Sequence, residues 1–115
     1  MHQDPNCIFC KIVAGQIPSK KVFEDDELLV FHDINPWAPV HVLVIPKRHI
    51  ATHYDVMPED SALLGKMLAL APKLMRELGV VNGFRTLINT GEDGRQEVQH
   101  LHMHVMGGPR PWLRG

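Results

Sequence analysis

Three histidines at alternate positions, in the run His100-Leu101-His102-Met103-His104-Val105-Met106, are the residues best placed by type and spacing to do chemistry. In an extended chain this alternation puts the imidazoles on one face and Leu101, Met103 and Val105 on the other. At a rise of about 3.3 Å per residue, successive histidines on that face lie about 6.6 Å apart, close enough to serve one site. A polar outer face on a half-buried strand would account for one histidine, and it accounts poorly for three in register. Imidazole titrates near neutrality, so the row can supply a nucleophile, an acid, a base or a set of metal ligands. A three-histidine hydrolytic metal centre is one such arrangement. A second group of reactive types lies at the other end of the chain. Cys7 and Cys10, the only two cysteines, have a C-x-x-C spacing that suits a metal knuckle or a redox pair better than a structural crosslink.

The elements that must position these side chains are marked by hydrophobic pattern and by turn residues. Ile8, Phe9, Ile12 and Val13, followed by Gly15, predict a short helix over Ile8 to Ala14. Val22 and Phe23 predict a strand, Glu24 to Glu27 a turn, and Leu28 to Phe31 a second strand, which together make a hairpin. Asn35, Pro36 and Pro39 punctuate the connection to a third strand over Val40 to Ile45, ended by Pro46. From Pro58 to Leu78 apolar residues recur at helical spacing, with Gly79 as the stop and Pro72 as an expected kink. Two more strands are predicted over Phe84 to Ile88 and Val98 to Met106. The loop Asn89 to Glu97 between them, with Gly91 and Gly94, is a natural place for a ligand. Closely spaced strands pair antiparallel, and the class is α+β.

Composition narrows the function classes. A chain of 115 residues with 44% hydrophobic content suits one compact domain that needs no disulfide scaffold. The formal net charge of −1, with no long basic run, offers no footprint for nucleic acid or an acidic membrane surface. The first six residues lack the pattern of a secretory signal and no stretch reaches the length of a membrane span, so a cytoplasmic location is expected. Eight histidines in so short a chain call for a chemical explanation before a packing one.

Beyond the triad run, the segments Ile17-Pro18-Ser19, Phe31-His32-Asp33-Ile34, Ala38-Pro39-Val40-His41-Val42-Leu43-Val44-Ile45-Pro46-Lys47 and Gly107-Gly108 resemble the histidine triad (HIT) family. The resemblance covers almost the whole chain. The Gly94-Arg95-Gln96 approach to the triad and a tryptophan near the C-terminus make it most similar to the Hint branch of nucleoside phosphoramidases. The resemblance implies a HIT-like fold: a five-stranded, mainly antiparallel sheet with one long and one short helix, continued across a homodimer. It implies one domain over residues 1–115, with a flexible tail at 1–6 and a C-terminal tail at 107–115. In the Hint branch that tail resembles a specificity element, which makes Trp112 a candidate for the role.

The implied activity is hydrolysis of nucleoside phosphoramidates or related nucleoside 5′-monophosphate derivatives, purine-leaning, through a covalent nucleotidyl-histidine. The alternatives are a dinucleoside polyphosphate hydrolase, and a zinc-stabilised binding module without turnover. By position, His102 is the implied nucleophile, while His104 and His41 contact phosphate oxygens or the leaving group, where a histidine can also give the departing amine its proton. Asn89 corresponds to a phosphate donor and Asp33 to the residue that binds the ribose hydroxyls. Phe9, Phe31, Ile8, Ile12 and Ile34 correspond to the wall around the base. Position 97 departs from the better-known animal members, which carry a small hydroxyl residue where this chain has Glu97, and a carboxylate there repels phosphate. Bacterial-type members resemble this chain in tying an N-terminal knuckle to the sheet through zinc. Cys7, Cys10, His49 and His100 form the corresponding Cys₂His₂ set, a structural rather than a catalytic ion site, so no catalytic metal is expected.

Overall fold

In the computed structural model, residues 4–113 are described, and residues 1–3 and 114–115 lie outside them. Five strands follow one another as β1 (Lys21–Glu24), β2 (Leu28–His32), β3 (Val40–Pro46), β4 (Phe84–Leu87) and β5 (Met103–Gly107). They form one sheet in the order β1-β2-β3-β5-β4, with every neighbouring pair antiparallel. A short helix α1 (Ile8–Val13) precedes the sheet, and a long helix α2 (Ser61–Glu77) links β3 to β4.

Strand alternation explains why the sheet has a different core on each side. Leu28, Val30, Val42, Val44, Met103 and Val105 point to one face and pack on Met67, Ala71, Leu74 and Met75 of α2. Leu29, Phe31, Leu43 and Ile45 point to the other and pack on Cys7, Phe9, Cys10 and Ile12 of the α1 region. The central strands are therefore apolar at nearly every position, as strands covered on both faces must be. The hairpin turn is tied to α2 by charge, since Lys66 reaches the carboxylates of Asp25 at 2.6 Å and Glu27 at 3.1 Å. Burial raises the Asp25 carboxyl, but Lys66 and the N–H groups of Glu27 and Leu28 outweigh it and hold the group at about 2.

Several element boundaries differ from the sequence reading. α2, with Pro72 inside it, starts at Ser61, and the stretch from Pro58 to Asp60 is a separate 3₁₀ turn ahead of it. The strand expected over Val98 to Met106 begins only at Met103, because the main chain before it bonds elsewhere. The Leu101 N–H goes to the Ile50 carbonyl at 2.6 Å, and the Gln96 side chain takes the Val98 carbonyl at 2.9 Å. Residues 4–6, part of the expected flexible tail, are joined to the knuckle: the Asp4 carbonyl accepts from Cys7 N–H at 3.0 Å. At the other end, Gly107 belongs to β5, and the Trp112 indole N–H donates to the Gly108 carbonyl at 3.0 Å. Gly108 has φ +109°, and a Cβ there would meet Pro39 at 2.8 Å, so the turn into this segment requires glycine. Among the described residues no helix is long and apolar enough to cross a membrane.

Leu74 is fully buried where α2 meets the sheet. Leu74→Ala is expected to lower the unfolding free energy by about 2–5 kcal/mol, the range for deleting a buried leucine side chain. Urea unfolding followed by circular dichroism reads this directly, and a loss under about 0.5 kcal/mol, the usual surface value, would contradict the packing described.

Candidate functional site

The side of the sheet carrying α1 opens into a cleft of about 1310 Å³. His102 and His104 line it, and both side chains are buried, His102 being 6% exposed. Their rings lie 5.0 Å apart, so two of the three triad histidines face one space. The third, His100, lies on the same side but deeper, with the Phe9 ring edge-on to both His100 and His102 at 6.0 and 5.2 Å. The two-residue spacing thus keeps the row on one side even though His100 and His102 precede the regular strand.

Main-chain groups decide which ring nitrogen of each histidine carries the proton. The nearest partner of His102 Nδ1 is the His100 carbonyl at 2.7 Å, so Nδ1–H donates and Nε2 keeps its lone pair. His100 Nε2–H donates to the Pro46 carbonyl at 2.8 Å, which leaves Nδ1 as the lone-pair nitrogen. His41 has the opposite arrangement. Its Nδ1 accepts the Trp37 main-chain N–H at 3.0 Å, so its proton sits on Nε2 and is donated to His104 Nδ1 at 2.8 Å. His104 therefore carries its proton on Nε2. The result is a one-way chain of hydrogen bonds, from Trp37 through His41 to His104.

Burial keeps these rings neutral. It is the largest influence on His104, with His102 and His41 adding to it, and the pKa falls to about 3. Burial also lowers His100 to about 4, against the pull of the Pro46 carbonyl. His102 is lowered by burial too, partly offset by the His100 carbonyl and the charges of Asp33 and Glu97. For His41, burial outweighs the Asp33 carboxylate.

Two clusters of metal-type ligands occur among the described residues, and their hydrogen bonds separate them. In the first, Cys7 Sγ, Cys10 Sγ and His49 Nδ1 lie 3.2, 3.5 and 3.2 Å from His100 Nδ1, the nitrogen left with a lone pair. Tetrahedral zinc with ordinary Zn–N and Zn–S bonds sets its ligand atoms about 3.3–3.8 Å apart. Both sulfurs also accept main-chain N–H groups, Cys7 from Cys10 at 3.2 Å and Cys10 from Asp4 at 3.4 Å. Without a cation, burial pushes the Cys10 thiol up to about 11. These four residues can hold a metal ion. The second cluster, Asp33, His41 and His104, does not suit one. Binding at His41 Nε2 would move its proton to Nδ1, against the Trp37 N–H. The three-histidine metal centre fails because His100 has no nitrogen to offer it, Nδ1 facing the cysteines and Nε2–H the Pro46 carbonyl.

The other expected site residues divide by position. Phe9, Ile12 and Phe31 form an apolar wall of the cleft, with Phe9 and Phe31 edge-to-face at 5.5 Å. Ile8 and Ile34 stand at its rim, 47% and 91% exposed. Asp33 lines the cleft beside His32, and its Oδ1 accepts the Asn35 N–H at 2.8 Å. Asn89 also lines it, and its amide donates to the Gly94 carbonyl at 2.8 Å, closing the loop on itself. That loop needs glycine at 94, where a Cβ would lie 2.2 Å from the Thr90 carbonyl oxygen. Glu97 is exposed at the cleft with Arg95 and Glu92. His41 does not line the cleft. It is buried behind His104, bonded to that ring, with the Asp33 carboxylate 3.6 Å from its Nε2. Sequence reasoning passed over Trp37, which stacks on His104 at 5.3 Å with an interplanar angle of 17°. The available signal was its place in the Asn35-Pro36 turn, four residues before His41.

Comparison with known proteins bears on the family and the fold. The family model described as "Scavenger mRNA decapping enzyme C-term binding" matches residues 6–112. Protein HitA of Neisseria gonorrhoeae is 53% identical over 104 residues, which cover 90% of this chain and 97% of that protein. A histidine triad protein from Clostridium difficile superposes with a TM-score of 0.90 at 43% identity, covering 95% and 96% of the two chains. A HIT family hydrolase from Legionella pneumophila Philadelphia 1 gives 0.88 at 49% identity, covering 91% and 95%.

The neutral burial of His104 has a measurable consequence. Folded, it stays unprotonated down to about pH 3, whereas in the unfolded chain it takes up a proton near its ordinary value of 6.5. Between these values the unfolded state binds the extra proton, so stability is full above 6.5 and is lost as pH falls. Urea midpoints are expected to drop from pH 7 to pH 5 and to drop less steeply in His104→Phe. An unchanged slope in the variant would mean that His104 is not buried neutral.

Proposed function

The chain belongs to the histidine triad family, and on that premise we propose that it is a nucleotide-binding hydrolase cleaving nucleoside phosphoramidates through a covalent nucleotidyl-histidine. The observation that carries this reading is the polarity of His102: Nδ1–H is held by the His100 carbonyl, and the Nε2 lone pair belongs to a ring that lines the cleft. Nε2 attacks the α-phosphorus, the P–N bond breaks, and the leaving amine takes up a proton from solvent in the cleft. Water then releases the nucleoside monophosphate and regenerates the ring, which divides one difficult displacement into two easier ones.

His104, with its proton on Nε2, donates a hydrogen bond to the phosphoryl oxygens as charge builds on them. The sequence reading gave the histidines here the option of acting as acids. A neutral pair of this polarity supports a donor role for His104 and a positioning role for His41, because Nδ1 of each ring already accepts an N–H. Asp33 takes the ribose hydroxyls, and the Phe9–Phe31 wall takes the base, with room for a purine. The charge of the cleft favours an amine leaving group over a second nucleotide joined through polyphosphate. Asp33, Glu92 and Glu97 line it against Lys20 and Arg95, which leaves no excess of cations for a chain of phosphates.

Zinc is the ion we assign to Cys7, Cys10, His49 and His100, on the sulfur and nitrogen donors and their spacing. A closed set of four protein ligands gives zinc a structural part, holding α1 to the sheet. A second copy of the chain is the partner we assign to β4. That strand is at the edge of the sheet, and Phe84 and Leu87 on it are 38% and 37% exposed, an apolar edge that pairing would cover.

Adenosine 5′-phosphoramidate tests the reading. His102→Gln is expected to reduce turnover by at least about 10³-fold, the scale for loss of a covalent nucleophile, with one zinc per chain retained. Cys10→Ser is expected to lower the zinc content instead. Wild-type protein inactive on the phosphoramidate but active on a dinucleoside polyphosphate would favour the rival substrate. Full activity in folded His102→Gln would remove the nucleophile.

A further inference from the structure

Trp37 touches the hydrogen-bond chain at two points with two different parts of the residue. Its main-chain N–H donates to His41 Nδ1 at 3.0 Å, which puts the His41 proton on Nε2. Its indole stacks nearly parallel on His104, at 5.3 Å and 17°, and meets His41 edge-on at 5.4 Å and 63°. The His41 and His104 rings are themselves tilted by 47° and joined only by the 2.8 Å contact between their nitrogens. A hydrogen bond between two rings sets one distance and leaves rotation about it weakly restrained. The indole face restrains that rotation for His104.

The residue is held firmly enough to do this. The Asn35 N–H bonds to the Asp33 carboxylate at 2.8 Å, which fixes the turn, and Pro36 precedes Trp37 directly. On its other side the Trp37 carbonyl accepts the Leu113 N–H at 2.7 Å, so the C-terminal segment holds the same residue through its following peptide group. Trp37 also lines the cleft.

We propose that Trp37 is a positioning residue for phosphoryl transfer: its main chain sets the proton order of the His41–His104 pair, and its indole face fixes the plane in which His104 presents Nε2–H to the phosphate. This rests on the proposed hydrolase reading, and it concerns the ring that stabilises charge rather than the one that attacks.

Substitution of the side chain leaves the main-chain N–H in place and so isolates the indole. Trp37→Leu, which keeps apolar bulk without a ring face, is expected to lower kcat for adenosine 5′-phosphoramidate about 3- to 10-fold, the loss of one aromatic pair. KM is expected to stay within about twofold, because the interaction acts in the transition state. Trp37→Phe, which restores a ring face, is expected to recover most of kcat. Imidazole ¹⁵N spectra give a readout that a merely structural role would not move. In wild type, His41 and His104 should both show a protonated Nε2 and an unprotonated Nδ1, and the His104 signals should shift in the leucine variant and return in the phenylalanine variant.

Equal loss of kcat in both variants, or a leucine variant with wild-type kcat and unchanged spectra, overturns the proposal. If Trp37→Leu fails to fold by thermal melting, Trp37→Met takes its place under the same criteria. The wild-type spectrum stands alone as a test, since a proton on Nδ1 of His41 overturns the proposal whatever the variants do. Wild-type protein that does not turn over the phosphoramidate removes the hydrolase reading and with it the kinetic arm, while the spectra still decide whether Trp37 orders the pair.

Discussion

Neutral imidazole has one proton and two nitrogens, and a site built from histidines works only if each proton is on the required side. In this protein main-chain groups make that choice, directly or through a neighbouring ring. Carbonyls of His100 and Pro46 draw the protons of His102 and His100, and the N–H of Trp37 turns His41 the other way, which in turn fixes His104. Peptide groups do not titrate in the working range, so the assignment holds across it. Each ring is also buried, which keeps it neutral and leaves the choice of nitrogen meaningful.

The sheet exists in the form it does partly because these partners must come from different strands. His41 on β3 pairs in register with Met106 on β5, and Leu43 with His104, so the antiparallel crossing brings His41 and His104 within one hydrogen bond. Pro46, at the end of β3, offers its carbonyl to His100 just before β5 begins. A one-residue slip of β5 against β3 would send Met103 and Val105 into the cleft and His104 into the core under α2. The apolar packing on α2 therefore fixes the register on which the chemistry depends.

Most of the fold was legible because its elements are strongly patterned. The hairpin, the third strand and the long helix stand within a few residues of their expected places, and the antiparallel class follows from the short connections. The triad face was legible from its alternate spacing, while Cys7, Cys10, His49 and His100 were legible as residue types whose convergence came through resemblance. What could not be read was whatever depends on a hydrogen-bond partner that no local pattern marks. The strand expected from Val98 fails because Ile50 and Gln96 take its backbone groups. His41 was expected at the phosphate; its ring lies behind His104 and accepts the main-chain N–H of Trp37, whose only mark in the sequence is its place in the Asn35-Pro36 turn. Pro72, expected as a kink from its missing N–H, lies inside a helix that continues through it, since tertiary packing overrides a local preference of about 3 kcal/mol.

The two chemical clusters meet in a single residue, and that explains why so short a helix can matter. His100 offers Nδ1 to the cysteines, Nε2–H to β3, and its own carbonyl to His102. Helix α1 has six residues, far below the length at which a helix persists unaided, so its place must come from outside it. Cys7 and Cys10 flank Phe9, whose ring sits against both His100 and His102 and forms part of the cleft wall. Whatever holds the two sulfurs to His100 therefore also sets the apolar wall and the ring that carries the free lone pair. A loose knuckle would blur both at once, and for this reason the buried sulfur and nitrogen cluster belongs to the architecture of the cleft although none of its sulfur atoms lines it.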